Sequence, residues 1–449
     1  MALRLGERRE EHRGIEREAT LPRVVPRCHG GTDSGSIPNL RWKRSTTTWQ
    51  GVMAKEPRTE RRKRVGRPAA GRGGKPPHGG PRDLVDGPLP APLRAGSEAI
   101  QAALLGWFKR VGRNLPWRRG ADPYRTWISE VMLQQTQVDR VVDFFLRFME
   151  RFPTVAQLAA APEADVLRAW EGLGYYRRAR QLHAAAKRIV ADHGGRLPDT
   201  AAGLRELPGI GRYTAGAIAS IAFDRPEPIV EANSRRVLAR LAAHAAPLVG
   251  TTGDGPIWEI ATALLPPRRA GLWNQALMDL GAMICTPRNP LCPRCPLADH
   301  CLSLATGRVG AIPAATPRRT VIELEETAVV IRRGSKVLVV RRGAGEWWEG
   351  LWDFPRLPAA EILAPLGCGR RRVVGHCRYS VTHHRVAVTV SVCAASRQGL
   401  RRDDLEWVDG ESLGAMAMTA PGRRIAALAA RGAGVAGRRG VAAPRPRRG

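Results

Sequence analysis

No stretch of the chain approaches the roughly eighteen consecutive apolar residues that a membrane-spanning helix requires, so a membrane-embedded protein is not expected. The opening residues, MALRLGERREEHRGIEREATLPRVVPRCHG, lack the apolar core of a secretory signal and carry too many glutamates for a good transit peptide. Acidic side chains are scarce: 41 Asp and Glu face 72 Lys and Arg, a formal charge of +31. That imbalance favours a polyanionic partner, nucleic acid first among them, although a general enrichment in Arg, Ala, Gly and Pro accounts for part of it. A disulfide framework is missing as well. Of eight cysteines, four crowd into CTPRNPLCPRCPLADHC and only Cys28, Cys368, Cys377 and Cys393 are scattered. These absences lead us to expect a cytoplasmic protein; nucleoid association and a monomer are expected besides.

What is present has room for two domains and tails, with 449 residues and a hydrophobic share of 43%. Residues 1–96 are rich in Arg, Gly and Pro without a sustained period and read as a disordered basic extension. Met53 is a candidate alternative start, and the basic run after it could lie along phosphates. Residues 97–305 give one amphipathic helix after another, an all-α domain. A Pro- and Gly-punctuated linker, 306–322, precedes a change to period two in TAVVIRR, KVLVVRR and VAVTVSVCAA. A smaller α+β domain is therefore expected over 323–432, with a loose basic tail over 433–449.

Several short motifs carry chemistry. Residues 127–149 read as one helix with an apolar stripe through Ile128, Val131, Val138, Val141, Val142 and Phe145. Gln134 and Gln135 interrupt it, and Glu130 lies one turn before Gln134. Leaving a buried amide unpaired costs roughly 2–7 kcal/mol, so such an interruption is either a surface lapse or a functional gap. LPGIG at 207–211 places Gly209 and Gly211 in a turn whose following helix can offer its amides to a phosphate. GLGYYRRARQ combines Tyr175 and Tyr176 with arginines, a mixture that stacks on bases while neutralising phosphates. In PIVEANSRRVLARL, Glu231 and Asn233 stand where a helix cap belongs. Cys285, Cys292, Cys295 and Cys301 are enough to close one metal centre. A single CxxC with outliers suits one 4Fe-4S cluster better than the paired knuckles of a zinc ribbon.

Taken together, WISEVMLQQTQV, GLGYY, LPGIG, NQALMDLGAMICT and the four-cysteine loop resemble, in order and spacing, the helix-hairpin-helix DNA glycosylases with an iron-sulfur loop. Over roughly 97–430 the resemblance is to the adenine DNA glycosylase family. It implies a two-lobed helical domain, including a cluster loop at 285–301, followed by a Nudix-like module. It also implies a flipped adenine excised opposite 8-oxoguanine or guanine in double-stranded DNA. Glu130 would match the general acid, and Glu231 the carboxylate beneath the sugar, with Asn233 and Tyr213 hydrogen-bonding around Glu231. Arg113, Trp117 and Gln275 match positions that contact adenine. Gln135 and Tyr175 resemble wedges in the duplex, while Thr136 and Leu173 would lie near the opposing base.

Three departures stand out. The lysine nucleophile of the related endonuclease III is replaced by Tyr213, so a lyase step is not expected. The family's Asp-Gly-Asn is Glu-Ala-Asn, which adds a methylene and removes a permissive turn. The lesion-reading Phe-Ser-His corresponds to Val381, Thr382 and His383, losing the phenyl, and no acidic Nudix hydrolase box is present. Two alternatives stay open at this point: a thymine or pyrimidine mismatch glycosylase of the same fold, and a damage-binding protein that does not excise.

Overall fold

The computed structural model describes residues 89–246, 254–314, 320–397 and 400–436. The basic segments 1–88 and 437–449, Met53 among them, lie outside the described residues, as does the middle of the linker at 315–319.

The helical part has two hydrophobic cores. One gathers Trp127, Ile128, Met132, Phe145, Phe148, Trp170 and Leu182 from helices between 123 and 223. The other joins Leu93, Ile100 and Leu104 to Leu238, Ile257, Trp273 and Leu280, so the described residues pass from this lobe into the first and return. Helix Ala270–Met283 packs on Arg212–Phe223 of the one lobe and Ser97–Val111 of the other, which makes it the spine of the cleft. Part of the expected basic extension belongs to this core. Leu89 and Leu93 are buried, and Ala91–Ala95 is helical, because two leucines supply apolar surface that the surrounding Pro and Arg pattern conceals.

The expected helix over 127–149 is two helices, Pro123–Leu133 and Val138–Arg151. The first begins at Asp122, whose carboxylate accepts the amides of Tyr124 and Arg125 at 2.8 and 3.3 Å, with Pro123 in the first turn. It stops because Gln135 adopts a left-handed backbone, φ +56°. The apolar stripe continues across the break, which is why periodicity alone reads through it.

The C-terminal domain is a six-stranded sheet: β1 Ile322–Arg333, β2 Lys336–Arg341, β3 Trp352–Asp353, β4 Arg372–Val381, β5 His384–Ala394 and β6 Leu405–Val408. Its order is β3-β2-β1-β5-β4, with β6 added beside β2. β1 and β5 run parallel and the other pairs antiparallel. Helix Ala420–Ala436 covers one face, its Ile425 packing with Val330 and Val388, and Ala360–Leu363 covers part of the other. Leu351, Ala417 and Trp348 reach into the core of the first helical lobe, so this domain is seated on it.

Candidate active site

Glu130 is carried by a helix whose residues Thr126 to Met132 are all buried, and only 4% of it is exposed. It faces a cavity between the lobes lined also by Arg113, Trp117, Leu133, Gln275 and Met278. Glu130 is thus neither at the surface nor unpaired, whereas Gln134 is half-buried and Gln135 exposed at the break that follows. Tyr213 Oη donates to Glu130 Oε2 at 2.6 Å. Burial pushes the Glu130 carboxyl up to about 7, against the downward pull of that hydrogen bond; Glu231 adds to the rise and Arg118 opposes it. Near neutral pH the group is therefore divided between its acid and base forms. Tyr213 is itself driven well above its ordinary value, by burial and then by the two glutamates, so it remains a donor.

Glu231 is the cap of helix Ala232–Leu241. Its carboxylate accepts the amides of Asn233 at 2.7 Å and Ser234 at 2.8 Å, and Ser234 Oγ accepts the Glu231 amide at 2.9 Å. The cap is the same side chain whose charge acts on Glu130, although Glu231 is not among the residues lining the Glu130 cavity. Burial raises its pKa, opposed by those amides and by Arg236 and Arg235. Ala232 takes the first helical position, so the missing glycine imposes no left-handed turn. The expected network around Glu231 needs correcting in two respects. Tyr213 gives its hydroxyl to Glu130, which it reaches from the neighbouring helix, and Asn233 serves Glu231 through its backbone only. The Asn233 side chain accepts from Arg236 Nη2 at 2.9 Å. Gly281 permits this packing, since a Cβ there would stand 2.6 Å from Asn233 Cβ.

Arg113 and Gln275 do meet at this cavity, with Trp117 buried beside them. What organises them was not singled out in the sequence. Asp279, fully buried, accepts Arg113 Nε and Nη2 at 2.8 and 2.6 Å and Arg118 Nη1 and Nη2 at 2.8 and 3.0 Å. Burial alone would raise its pKa, but the hydrogen bonds and charge of Arg118 and Arg113 hold it below the usual carboxylate range. The available signal was an acid inside the apolar helix LWNQALMDLGAM, the same anomaly that marked Glu130. Gln275 Nε2 donates to Gly271 O at 3.1 Å, which fixes the amide against its own helix.

Gln135 and Tyr175 stand side by side in an unusual respect: both adopt left-handed backbones, φ +56° and +50°, and Tyr175 is 50% exposed. Such conformations cost on the order of 1–3 kcal/mol in residues with a Cβ and persist where surrounding structure enforces them. Arg178 does so here. From a buried position it donates to Met132 O at 3.0 Å, Gln134 O at 2.6 Å, Thr136 Oγ1 at 3.2 Å and Gly174 O at 3.1 Å, bracketing both residues. Leu173 is buried beneath them. Gly209, at φ +77°, comes so close to Gln181 that a Cβ would lie 2.7 Å from its Cβ, and Gly211 begins helix Arg212–Phe223 with no side-chain cap. Thr382 and His383 form the two-residue turn between β4 and β5, Thr382 at φ +53°. Both belong to the C-terminal domain, and neither is among the residues lining the Glu130 cavity.

Cys285, Cys292, Cys295 and Cys301 line one small cavity beneath Arg240, Ile284 and Leu304. Among the described residues no group of three or more His, Cys, Asp or Glu side chains could hold a single metal ion. Four thiols lining one cavity fit a 4Fe-4S cluster, which four cysteine thiolates would hold. Arg240 Nη1 donates to Cys285 Sγ at 3.3 Å.

Three family models match: HhH-GPD superfamily base excision DNA repair protein over residues 128–248, the iron-sulfur binding domain of endonuclease III over 285–301, and the NUDIX domain over 327–428. The four cysteines are accordingly the ligands of a 4Fe-4S cluster. The chain is 42% identical over 247 residues to an adenine DNA glycosylase of Rattus norvegicus, covering 52% of this chain and 47% of that protein. It spans about half the length of the first mammalian relatives. It is 43% identical over 220 residues to the adenine DNA glycosylase of Mycolicibacterium smegmatis, covering 49% of this chain and 72% of that protein. With the adenine DNA glycosylase of Buchnera aphidicola the identity is 35% over 253 residues, 56% of this chain and 73% of that protein. With those two bacterial relatives covered over more than two thirds of their length, and a buried acid in place between two helical lobes, the chain belongs to the adenine DNA glycosylase family.

Proposed function

We propose that the chain is a monofunctional DNA glycosylase that removes adenine mispaired with 8-oxoguanine, and less well with guanine, from duplex DNA. The observation that carries this reading is Glu130: a carboxyl buried in the interlobe cavity, held by Tyr213, with its pKa pushed up to about 7. An acid poised there can be protonated when the base arrives and ionised after it leaves. With adenine extruded into the cavity, the Glu130 proton goes to adenine N7 and the C1′–N9 bond breaks, its electron pair leaving with the base. Positive charge then develops on the sugar, and Glu231, whose charge also acts on Glu130, provides electrostatic support from the second lobe. Water adds to C1′ and returns a proton to the Glu130 carboxylate, leaving an abasic site. No lysine stands at Tyr213 to form a Schiff base, which favours hydrolysis over strand cleavage.

Arg113, Trp117 and Gln275 hold the base. Gln135 and Tyr175 fill the space it vacates, with Thr136 and Leu173 near the opposing base. Gly209 and Gly211 present amides to a phosphate, and Thr382 and His383 read the lesion. The 4Fe-4S cluster, when bound, supplies a rigid charged anchor for the 285–301 loop of the second lobe.

The test uses duplexes carrying adenine or thymine opposite 8-oxoguanine or guanine, treated with alkali after incubation with the chain or with Glu130→Gln. Cleavage of adenine strands alone, lost by roughly 100-fold or more in the variant, is the expected result. Cleavage of thymine strands instead would overturn the adenine assignment, and binding without cleavage would overturn excision.

A further inference from the structure

The short segment from Glu171 to Tyr175 joins helices Glu163–Ala169 and Arg177–His193, and it is tied to itself at every step. The Leu173 amide donates to Trp170 O at 3.1 Å, the Gly172 amide to Tyr176 Oη at 3.1 Å, and Trp170 Nε1 to Gly174 O at 3.2 Å. Arg178 closes the far side on Gly174 O. A segment cross-linked in this way moves as one body, so a displacement at Glu171 is felt at the exposed ring of Tyr175.

Its outer end is gripped by the C-terminal domain. Arg423, in helix Ala420–Ala436, meets Glu171 with both prongs of its fork, Nε to Oε1 at 2.7 Å and Nη2 to Oε2 at 3.0 Å. The same guanidinium is anchored to its own domain by Leu413 O at 2.6 Å and Met416 O at 2.5 Å. A bidentate pair of this kind fixes orientation as well as distance. A second tether runs from Arg180 to the backbone and carboxylate of Glu349. Glu349 follows Trp347 and Trp348, and the Trp347 ring lies 4.9 Å from His384, next to the Thr382–His383 turn. The turn that would read the lesion and the segment that would enter the duplex are thus joined through packed rings and ion pairs.

We propose that the Glu171–Arg423 pair is a positioning device through which the C-terminal domain sets where Tyr175 stands, and so couples recognition of the opposing base to excision of adenine. This rests on the reading of Tyr175 as a wedge and of the C-terminal domain as the lesion reader. Simple adhesion between domains makes a different demand. It would strengthen action on every duplex alike, whereas a coupling device acts on the ratio between duplexes.

The full cluster-loaded chain is compared with Glu171→Gln, Arg423→Gln and the double variant. Single-turnover excision is measured on adenine opposite 8-oxoguanine and opposite guanine, with 2-aminopurine fluorescence beside the mispair reporting insertion. Each single change is expected to lower the preference for 8-oxoguanine by roughly 5- to 50-fold, with the rate opposite guanine held within about two-fold. The double variant is expected to be no worse than either single one, because only one interaction is there to lose. Glu171→Gln leaves the carbonyl anchors of Arg423 intact, so it keeps the test valid if Arg423→Gln folds poorly. An unchanged preference in folded Glu171→Gln, an equal loss on both duplexes, or independent effects that multiply in the double variant each overturn the coupling. A wild-type chain without adenine excision or without preference overturns the parent reading as well, whereas a preference that survives in every variant sinks the coupling alone.

Discussion

Glu130 and Asp279 are both acids in the middle of apolar helices, one from each lobe, and both are buried beside the same cleft. Their protonation nevertheless diverges. Glu130 has one neutral partner, Tyr213, and burial dominates, so its carboxyl rises to about 7. Asp279 has two guanidiniums in direct contact, and their hydrogen bonds outweigh burial. The lesson is that burial does not by itself make a general acid. What matters is whether the partners compensate the charged form, and here one acid is left free to trade protons while the other holds two arginines at the wall of the same cavity.

The most severe way to break this contrast is Asp279→Asn. It keeps the shape but strands Arg113 and Arg118 opposite a neutral amide, and removing one partner from a buried ionic network costs about 3–5 kcal/mol. Chemical denaturation should show that loss, and a variant as stable as wild type would refute the assignment.

Glu130→Gln tests the other member with the opposite sign. Because the folded pKa of Glu130 lies above its ordinary 4.5, its contribution to stability is fully present below that value and lost as pH rises through about 7. Above that range the wild type carries a buried charge that the amide does not. The variant should therefore gain on wild type, by on the order of a few kcal/mol, in melts at pH 8 relative to melts at pH 4. A difference independent of pH would mean that the carboxyl is solvated.

A finer change sharpens the same comparison. Tyr213→Phe removes the hydrogen bond that lowers the Glu130 pKa, so the alkaline limb of the pH–rate profile should move to higher pH. The rate at neutral pH should change by only about ten-fold or less, since the acid itself remains. An alkaline limb that moves down would show that the hydroxyl instead supports the proton on Glu130.

Much of the site was legible because its residues violate the pattern of their own segments. A glutamate in a buried helix, four cysteines on one loop, and a glycine turn between helices are anomalies visible without coordinates. The misreadings share a different cause. The stripe from Ile128 to Phe145 resumes in phase after Gln134–Gln137, so the two glutamines that interrupt it did not read as the end of a helix. Glu231 looked like a choice between a cap and an active carboxylate, and its two oxygens serve the amides while its charge reaches Glu130.

The sequence by itself determined the class of elements, the two kinds of domain and the identity of the chemical groups, because apolar period, glycine placement and cysteine spacing are local properties. Only the tertiary structure decided which groups face one another. Tyr213 meets Glu130 rather than Glu231, Asp279 captures two arginines from more than 160 positions away, and Arg423 closes on Glu171 across 252. Those pairings depend on how lobes and domains come together, and the free energy of a buried charge is set by its neighbours in space, which no local pattern encodes.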